Sequence, residues 1–261
     1  MYLRFRLELL INLSMITFKN PYLLFIPLFW ACNTSTETTA KEIIEQAVAV
    51  SGFHSSAHQI DFKFRDYYYS LEREADYYSY SRQRTFNQKT YLDVMTSNDR
   101  LKRYVNDSLI VLQDSLQKAY SNSLNSVMYF FQLPKPLQDP AVNPKLLNPI
   151  TIEGKQYWTL QITFDQEGGG EDYQDEFRYW INKETFQIDY LAYNYLTDGG
   201  GTRFRKAQNK RNIEGFWFQD YLNFKPLLPF PALDSLPIYF EQGKLQKVSQ
   251  IENKNITVSF P

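Results

Sequence analysis

The first regular pattern in the chain is a stripe of apolar residues at helical spacing between residues 40 and 51. Thr39 and Glu42 form a capping-box pattern at its start, and Gly52 stands where a residue just beyond a helix is expected. From residue 60 to residue 64 the period becomes two, because apolar and charged residues alternate. The chain therefore predicts a helix over residues 40–51 followed by a half-buried strand.

Most of the remaining sequence predicts strands joined by short turns. A hairpin is expected at residues 182–185, where an apolar alternation stops and then resumes. A short helix is predicted over residues 123–131, residues 99–118 favour no single element, and the Pro-rich segment 134–149 is predicted to be an ordered or lid-like loop. Strands are predicted over residues 67–69, 77–84, 158–164, 177–181, 186–192, 202–209, 216–224, 237–242 and 245–251.

Together these elements predict an α+β fold that is mainly antiparallel β-structure. A sheet of this length must curl, and its apolar face needs cover. One or two helices on the concave side would give a curled sheet or half-open barrel wrapped round them. No linker or fixed repeat divides the chain after residue 39, so residues 40–261 are predicted to form a single domain.

The segment before this domain has the features of a lipoprotein signal peptide. Apolar residues 22–31 follow the positive charge of Lys19 and run directly into Cys32. This stretch is too short to span a bilayer. Residues 29–32 resemble a bacterial lipobox, in which a small residue precedes the cysteine. We therefore predict that residues 1–31 are a signal peptide that is removed.

Processing at this site would leave lipid on the first residue of the mature chain, Cys32. Several acyl chains on one residue give firm membrane anchoring. Residues 33–39, which follow the cysteine, are mostly small and polar. Residues 32–39 are therefore predicted to form a flexible tether. Met15 is the expected true start, since residues 15–31 alone make a compact signal. The predicted location is the bacterial cell envelope, in the outer membrane, with its periplasmic or surface side left open.

Charge and composition exclude several classes of protein. The net charge is −1, and it becomes −3 when the charged residues of the signal (Arg4, Arg6, Lys19 and Glu8) are removed, so no nucleic-acid partner is expected. The single cysteine excludes a disulfide framework and a cysteine-based zinc cluster. Aromatic residues make up 17% of the chain, while the mean hydropathy is −0.47. This combination favours a sheet-rich soluble domain over a membrane bundle.

Several short segments resemble a family of uncharacterised lipoproteins common in Bacteroidota. The segment 179–183 is also similar to a strand-to-turn motif of the LolA-like lipoprotein-carrier half-barrel superfamily. The segments that resemble the Bacteroidota family are residues 125–127, 129–130, 133–134, 139–142, 168–170 with Asp172 and Asp175, 190–193 and 203–205. The resemblance covers residues 40–225 and implies a LolA-like half-barrel, with no established activity. Some members are labelled deoxyribose-phosphate aldolase, but that reaction needs a parallel barrel with a Schiff-base lysine.

The most distinctive candidate site residues are two arginines on one predicted strand. Arg203 and Arg205 share a face of the strand, and Phe204 lies on the other face. If they face the concavity, they can clamp a carboxylate or phosphate group. If they face outward, they are solvated or pair with acidic residues. Asp220 and Tyr221 on a later strand either complete such a site or simply partner the arginines.

The other candidate residues are aromatic, acidic or drawn from the family-like segments. Trp158, Tyr193 and Tyr195 either line a concave, ligand-binding sheet or form ordinary core. The acidic cluster around Asp172 and Asp175 lacks the spacing of an EF-hand, and the two histidines match no metal or triad motif. No metal or cofactor is therefore predicted. Asn125 is included because it lies in a segment that resembles the family.

These observations predict a lipid-anchored envelope protein that binds an apolar or amphipathic small molecule or lipid in a concave, aromatic-lined sheet, without catalysis. Two alternatives remain at this point. The protein is an envelope enzyme that uses the Asp/Arg cluster, or it is a structural partner in an outer-membrane assembly. The sequence names no protein partner. The candidate ligand-binding residues are Asn125, Trp158, Asp172, Asp175, Tyr193, Tyr195, Arg203, Arg205, Asp220 and Tyr221.

Overall fold

A computed structural model describes residues 38–54, 57–75, 77–168, 173–196 and 199–261. The predicted signal peptide, Cys32 and most of the predicted tether lie outside these residues, as does Asp172. Within the described ranges, no helix is long and apolar enough to cross a membrane.

The described chain contains three α-helices, two short 3-10 helices and fourteen strands. The α-helices are α1 (Ala40–Ser51), α2 (Asp114–Phe131) and α3 (Leu236–Glu241), and the 3-10 helices are Lys135–Gln138 and Leu233–Ser235. The strands are β1 (Ala57–Phe64), β2 (Tyr67–Glu74), β3 (Tyr77–Phe86), β4 (Lys89–Thr96), β5 (Lys102–Val105), β6 (Ser108–Ile110), β7 (Val142–Ile152), β8 (Lys155–Phe164), β9 (Glu176–Asn182), β10 (Ile188–Tyr195), β11 (Gly201–Ile213), β12 (Phe216–Pro226), β13 (Leu245–Ile251) and β14 (Lys254–Ser259).

These strands form two seven-stranded antiparallel sheets. Sheet 1 has the order β14-β1-β2-β3-β4-β5-β6, and sheet 2 has the order β13-β12-β11-β10-β9-β8-β7. The predicted class, α+β and mainly antiparallel, is confirmed. The sequence predicts one long sheet, but the strands form two. Strands β13 and β14 are joined by residues 252–253, yet each is an edge strand of a different sheet.

Helix α1 forms because its capping signals and its apolar stripe agree. The Thr39 hydroxyl accepts a hydrogen bond from the Glu42 backbone, and the Glu42 carboxylate accepts one from the Thr39 backbone at 2.8 Å. The helix ends at Gly52, which adopts a φ of +85°. Its apolar face, centred on Ile43 and Ile44, is buried with side chains of sheet 2. The predicted helix is therefore confirmed at both ends.

Helix α2 is longer than predicted and contacts the side chains of both sheets. Leu124, Met128 and Phe131 are buried with sheet 1, and the Phe131 ring stacks on Phe62 at 3.7 Å between centroids. Phe130 packs against the core of sheet 2. The first turns of α2 are more exposed than the rest, but Leu116 and Tyr120 continue the i, i+4 stripe of Leu124 and Met128, so the sequence contains a signal for the longer helix.

The prediction that residues 134–149 form a loop is wrong for its second half. Residues from Val142 onward belong to β7, which is an edge strand of sheet 2. Proline lacks a backbone donor, but an edge strand has donors that need no partner. Pro144 lies opposite Ile162, and Pro149 lies at an irregularity in the pairing with β8.

The strand predicted over residues 237–242 is also wrong, because this segment is the helix α3. Leu236 and Phe240 pack on the face of sheet 2 that carries Trp180 and Phe204. Since α1 packs on a cluster from the opposite face, sheet 2 is covered on both sides. Such cover explains why almost every residue of β9 is buried.

Substituting Gly52 is expected to destabilise the domain more than the same change at another left-handed glycine. A Cβ on Gly52 would lie 2.4 Å from the backbone oxygen of Gly215, which only a backbone shift can relieve. Gly154 has a φ of +77° but no atom within 4 Å of a built Cβ. Urea denaturation should give a loss of about 1 kcal/mol for Gly154→Ala and about 3 kcal/mol for Gly52→Ala. Equal losses would contradict the close approach at Gly52.

Candidate ligand-binding cavity

A cavity of about 270 Å³ lies between α2, the end of β1 and strands β11–β13 of sheet 2. Its apolar lining comes from both sheets and from the helix. These residues are Phe64, Val127, Phe130, Phe131 and Ile251. Polar groups also line the cavity, among them Arg205, Asn223 and Ser249. An apolar cavity with a few polar groups is the usual form of a small-molecule site.

The alternation of β11 directs Arg205 to this cavity. Arg205 pairs in register with Leu191 on β10 and with Asn223 on β12, so these residues share one face of the sheet. Phe204 belongs to the buried cluster on the opposite face, with Trp180. The predicted placement of Arg205 and Phe204 on opposite faces is confirmed.

Arg205 is a buried cation with few protein partners. It is 9% exposed, and its guanidinium carbon lies 3.9 Å from the centre of the Phe130 ring. Its Nη2 donates a hydrogen bond of 2.7 Å to the Tyr193 hydroxyl, while its Nε is buried with no hydrogen-bond partner in the described structure. No carboxylate of a described residue forms an ion pair with Arg205.

The buried phenols of Tyr221 and Tyr179 remain neutral and do not balance the charge of Arg205. Burial raises the pKa of Tyr221 to about 12, although Gln219 and Arg205 act in the opposite direction. Burial also raises the pKa of Tyr179 well above its usual value, and the neighbouring Tyr129 adds to this rise. At neutral pH the cavity therefore carries a positive charge.

Asn223 provides a second incompletely satisfied polar group on the same wall. Its side chain is 8% exposed, and its Nδ2 donates a hydrogen bond of 3.2 Å to the Ser249 hydroxyl. Its Oδ1 is buried without a partner among the described residues. A buried polar atom without a partner costs free energy, and a ligand that supplies a partner recovers it.

The structure brings together only part of the predicted site. Arg205, Tyr193 and Tyr221 are neighbours, and Arg205 and Tyr221 line the cavity. Arg203 is partly exposed, donates to the backbone oxygen of Thr202, and lies over the Tyr195 ring at 5.0 Å. Arg203 and Tyr195 do not line the cavity.

Asp220 partners a different arginine from the one that the sequence suggested. Its Oδ1 accepts hydrogen bonds from the Arg211 guanidinium at 3.2 Å and from the Asn253 backbone at 2.9 Å, and its Oδ2 accepts one from Asn209. These bonds fix the turn between β13 and β14. The alternation of β12 directs Asp220 to the opposite face from Tyr221, so Asp220 is outside the cavity lining.

The remaining predicted residues also lie apart from the cavity. Trp158 packs at the edge of the α1 cluster, with the Lys183 ammonium 4.0 Å from its ring centre. Asp175 is buried just before β9. Asn125 lines a second cavity, of about 340 Å³, together with Arg73 and Lys135. The described residues contain no group of three or more side chains able to hold a metal ion.

A family model matches residues 19–253, which is most of the chain. The chain belongs to DUF6503, a family of unknown function. The prediction from sequence that this chain belongs to an uncharacterised family is therefore confirmed. No curated protein matches this DUF6503 chain.

Solved structures similar to this DUF6503 chain include a LolA superfamily protein from Nitrosomonas europaea. It is 16% identical, the match covers 85% of this chain and 94% of that one, and the TM-score is 0.49. A domain from Vibrio parahaemolyticus described as an outer membrane lipoprotein-sorting protein is 9% identical over 84% and 91% of the two chains, with a TM-score of 0.42. The resemblance predicts neighbours of the LolA-like kind. Sequence identities and TM-scores as low as these support no conclusion about a ligand.

Sequence reasoning missed two contributors to the cavity of the DUF6503 chain. The sequence predicts that Phe130 lies on a helix, but no local pattern shows that this helix brings the Phe130 ring to Arg205. Asn223 could have been identified from the sequence, because it is a polar residue at an inward-facing position of the strand predicted over residues 216–224. An inward-facing amide among apolar neighbours is a useful marker of a site in such a sheet.

Proposed function

We propose that this protein is a lipid-anchored envelope protein that binds an apolar or amphipathic molecule in the cavity beside α2, without catalysis. Residues 1–31 contain the signal peptide, which starts at Met15 and ends at residue 31, and Cys32 carries the lipid. Residues 32–39 tether the domain of residues 40–261 to the outer membrane. The observation that carries the proposal is the cavity itself, in which aromatic walls surround a buried guanidinium.

The side chains that line the cavity favour binding over catalysis. The ionisable groups among them are the guanidinium groups of Arg65 and Arg205 and the phenol of Tyr221. Guanidinium groups stay protonated, and the raised pKa of Tyr221 keeps its phenol neutral. None of these groups is a general base or a nucleophile at neutral pH. The antiparallel pairing of both sheets also differs from the parallel barrel that an aldolase of the labelled type needs.

Native mass spectrometry of the protein purified from the bacterial envelope tests the binding function. We expect the Cys32→Ser protein to carry an additional mass that organic solvent removes. Ser126→Trp, which places a large ring at the cavity, should lose that mass, while Ser115→Trp on an exposed position of the same helix should keep it. A clean protein mass in all three proteins would overturn the proposal.

The anchor is tested separately by the mass of the wild-type protein. We expect a chain that begins at Cys32 and carries the mass of several acyl chains, and we expect Cys32→Ser to lack them. An unmodified wild-type N-terminus would refute the anchor and leave the binding function to be decided by the first experiment.

A further inference from the structure

We propose that the ligand is a small anionic amphiphile whose carboxylate or phosphate group binds Arg205 and whose apolar part fills the cavity. This inference rests on the proposed binding function and specifies the class of ligand. The charge balance of the buried arginines, the unsatisfied polar atoms and the volume of the cavity each contribute to it.

A comparison of the buried arginines singles out Arg205. The described residues contain three arginines that are at least nine-tenths buried. Arg82 pairs with Asp93 at 2.8 Å, and Arg178 pairs with Asp234 at 2.7 Å. Arg205 alone among these three lines the cavity, and it has no carboxylate partner among the described residues. Because a buried charge is costly without a counter-charge, the cavity is completed by an anion.

The Phe130 ring and the Tyr193 hydroxyl hold the guanidinium in a fixed position. The ring lies 3.9 Å from the guanidinium carbon, and the hydroxyl accepts a hydrogen bond from Nη2 at 2.7 Å. Arg205 lines the cavity, its Nε has no hydrogen-bond partner among the described residues, and guanidinium donors match the oxygens of carboxylate and phosphate groups. A pre-positioned donor loses little entropy on binding, which favours a specific site for an oxyanion.

The rest of the polar lining favours the same class of ligand. Arg65 is exposed and adds a second guanidinium to the lining, while no carboxylate is among the lining residues. Asn223 adds the unpartnered amide oxygen, which accepts from a hydroxyl group or from bound water next to the anion. A cationic amphiphile would meet only like charge in this cavity.

The volume limits how much of a ligand is enclosed. The cavity of about 270 Å³ lies close to the lower end of the range for small-molecule sites, which is about 300 to 1,000 Å³. A short-chain acid fits this space, whereas the combined acyl chains of a membrane lipid greatly exceed it. The enclosed part of the ligand is therefore smaller than the multi-acyl lipid that anchors a lipoprotein.

Calorimetric titration of the full mature chain carrying Cys32→Ser tests this inference. The probes are octanoate, octyl phosphate, octanol and octylamine, which share one apolar tail and differ in the head group. We expect at least one of the two anions to bind, with octanol at least about tenfold weaker and octylamine not binding. The tighter of octanoate and octyl phosphate identifies the head group as carboxylate or phosphate.

Two variants assign the effect to Arg205. Arg205→Gln should weaken binding of the anion by about tenfold to hundredfold and leave the affinity for octanol unchanged. Lys206→Gln is the matched control, because Lys206 is the next residue of β11 but pairs with Glu153 outside the cavity. It should bind the anion as the parent does. The melting temperature of ligand-free Arg205→Gln should not fall, because no described carboxylate loses its partner.

The outcomes separate this inference from the proposed function. If octanol binds as tightly as the anions and Arg205→Gln changes nothing, the anionic class is refuted while ligand binding stands. If hexadecanoate binds much more tightly than octanoate, the size limit is wrong. If no probe binds and the native mass spectrum shows no ligand, both the inference and the proposed function fail.

Discussion

Raising the pH from 10 to about 12 is expected to unfold the domain in a cooperative transition. Several tyrosines have pKa values raised above the ordinary value of 10, and burial is the largest cause for each of them. They are Tyr129, Tyr157, Tyr179, Tyr190 and Tyr221. Far-ultraviolet circular dichroism and the absorbance of phenolate, followed together against pH, measure the effect.

The direction follows from the proton affinities of the two states. The unfolded chain loses phenol protons near pH 10, whereas folded Tyr221 keeps its proton up to a pKa of about 12. The stability contributed by the neutral phenol is complete below pH 10 and is lost as the pH rises through 12. For Tyr221 alone this is about 3 kcal/mol. The other four tyrosines act in the same direction, and the whole stability of a typical domain is only about 5–15 kcal/mol.

A conservative substitution checks that the buried phenols cause this transition. Tyr221→Phe removes one ionisable group, and Gln219, which donates to that hydroxyl, retains its bond to the Ile188 backbone. We expect the unfolding midpoint of this variant to move to higher pH. Tyr68→Phe, at a side chain that is 58% exposed, should leave the midpoint unchanged. Complete ionisation of all tyrosines near pH 10 with a native circular dichroism spectrum would contradict the expectation.

The elements that could be predicted are those whose signals are local. Helix α1 has its cap, its apolar stripe and its terminal glycine within fourteen consecutive residues, from Thr39 to Gly52. The hairpin of β9 and β10 has the apolar positions Phe177, Tyr179 and Ile181 before a polar turn at residues 182–185, and apolar residues resume after it. Each of these patterns specifies one structure without information from the rest of the chain.

The errors occurred where the outcome depends on distant segments. Whether residues 142–152 form a strand depends on the availability of β8 as a partner, and their prolines are acceptable only because β7 is at an edge. The six residues of α3 alternate too briefly to separate helix from strand. They form a helix because the outer face of sheet 2, with Phe204 at its centre, requires apolar cover.

The candidate site shows the same division between local and distant information. Alternation correctly separated Arg205 from Phe204, which is a property of one strand. The pairing of Asp220 with Arg211 depends on an irregularity in the register of β11 and β12 between Gln208 and Arg211. A shift of register changes which side chains meet. No pattern within either strand contains that information.

Replacing Asp93 by Asn is expected to cost about 4 kcal/mol of folding stability, because it removes the counter-charge of two arginines. Asp93 is 2% exposed, and it pairs with Arg82 at 2.8 Å and with Arg103 at 2.6 Å. The amide keeps the shape of the side chain but accepts fewer hydrogen bonds and carries no charge, so two guanidinium groups are left close together.

The matched control for this substitution is Asp99→Asn, at an exposed aspartate whose pair with Lys102 is separated by 3.1 Å. Exposed ion pairs contribute little, so the control should lose less than about 1 kcal/mol. Urea denaturation measures both variants on the same scale. A small loss for Asp93→Asn would mean that the arginines of sheet 1 tolerate burial without a counter-charge. The unpaired state of Arg205 would then no longer indicate an anionic ligand, so this measurement on sheet 1 also tests the reasoning applied to the cavity of sheet 2.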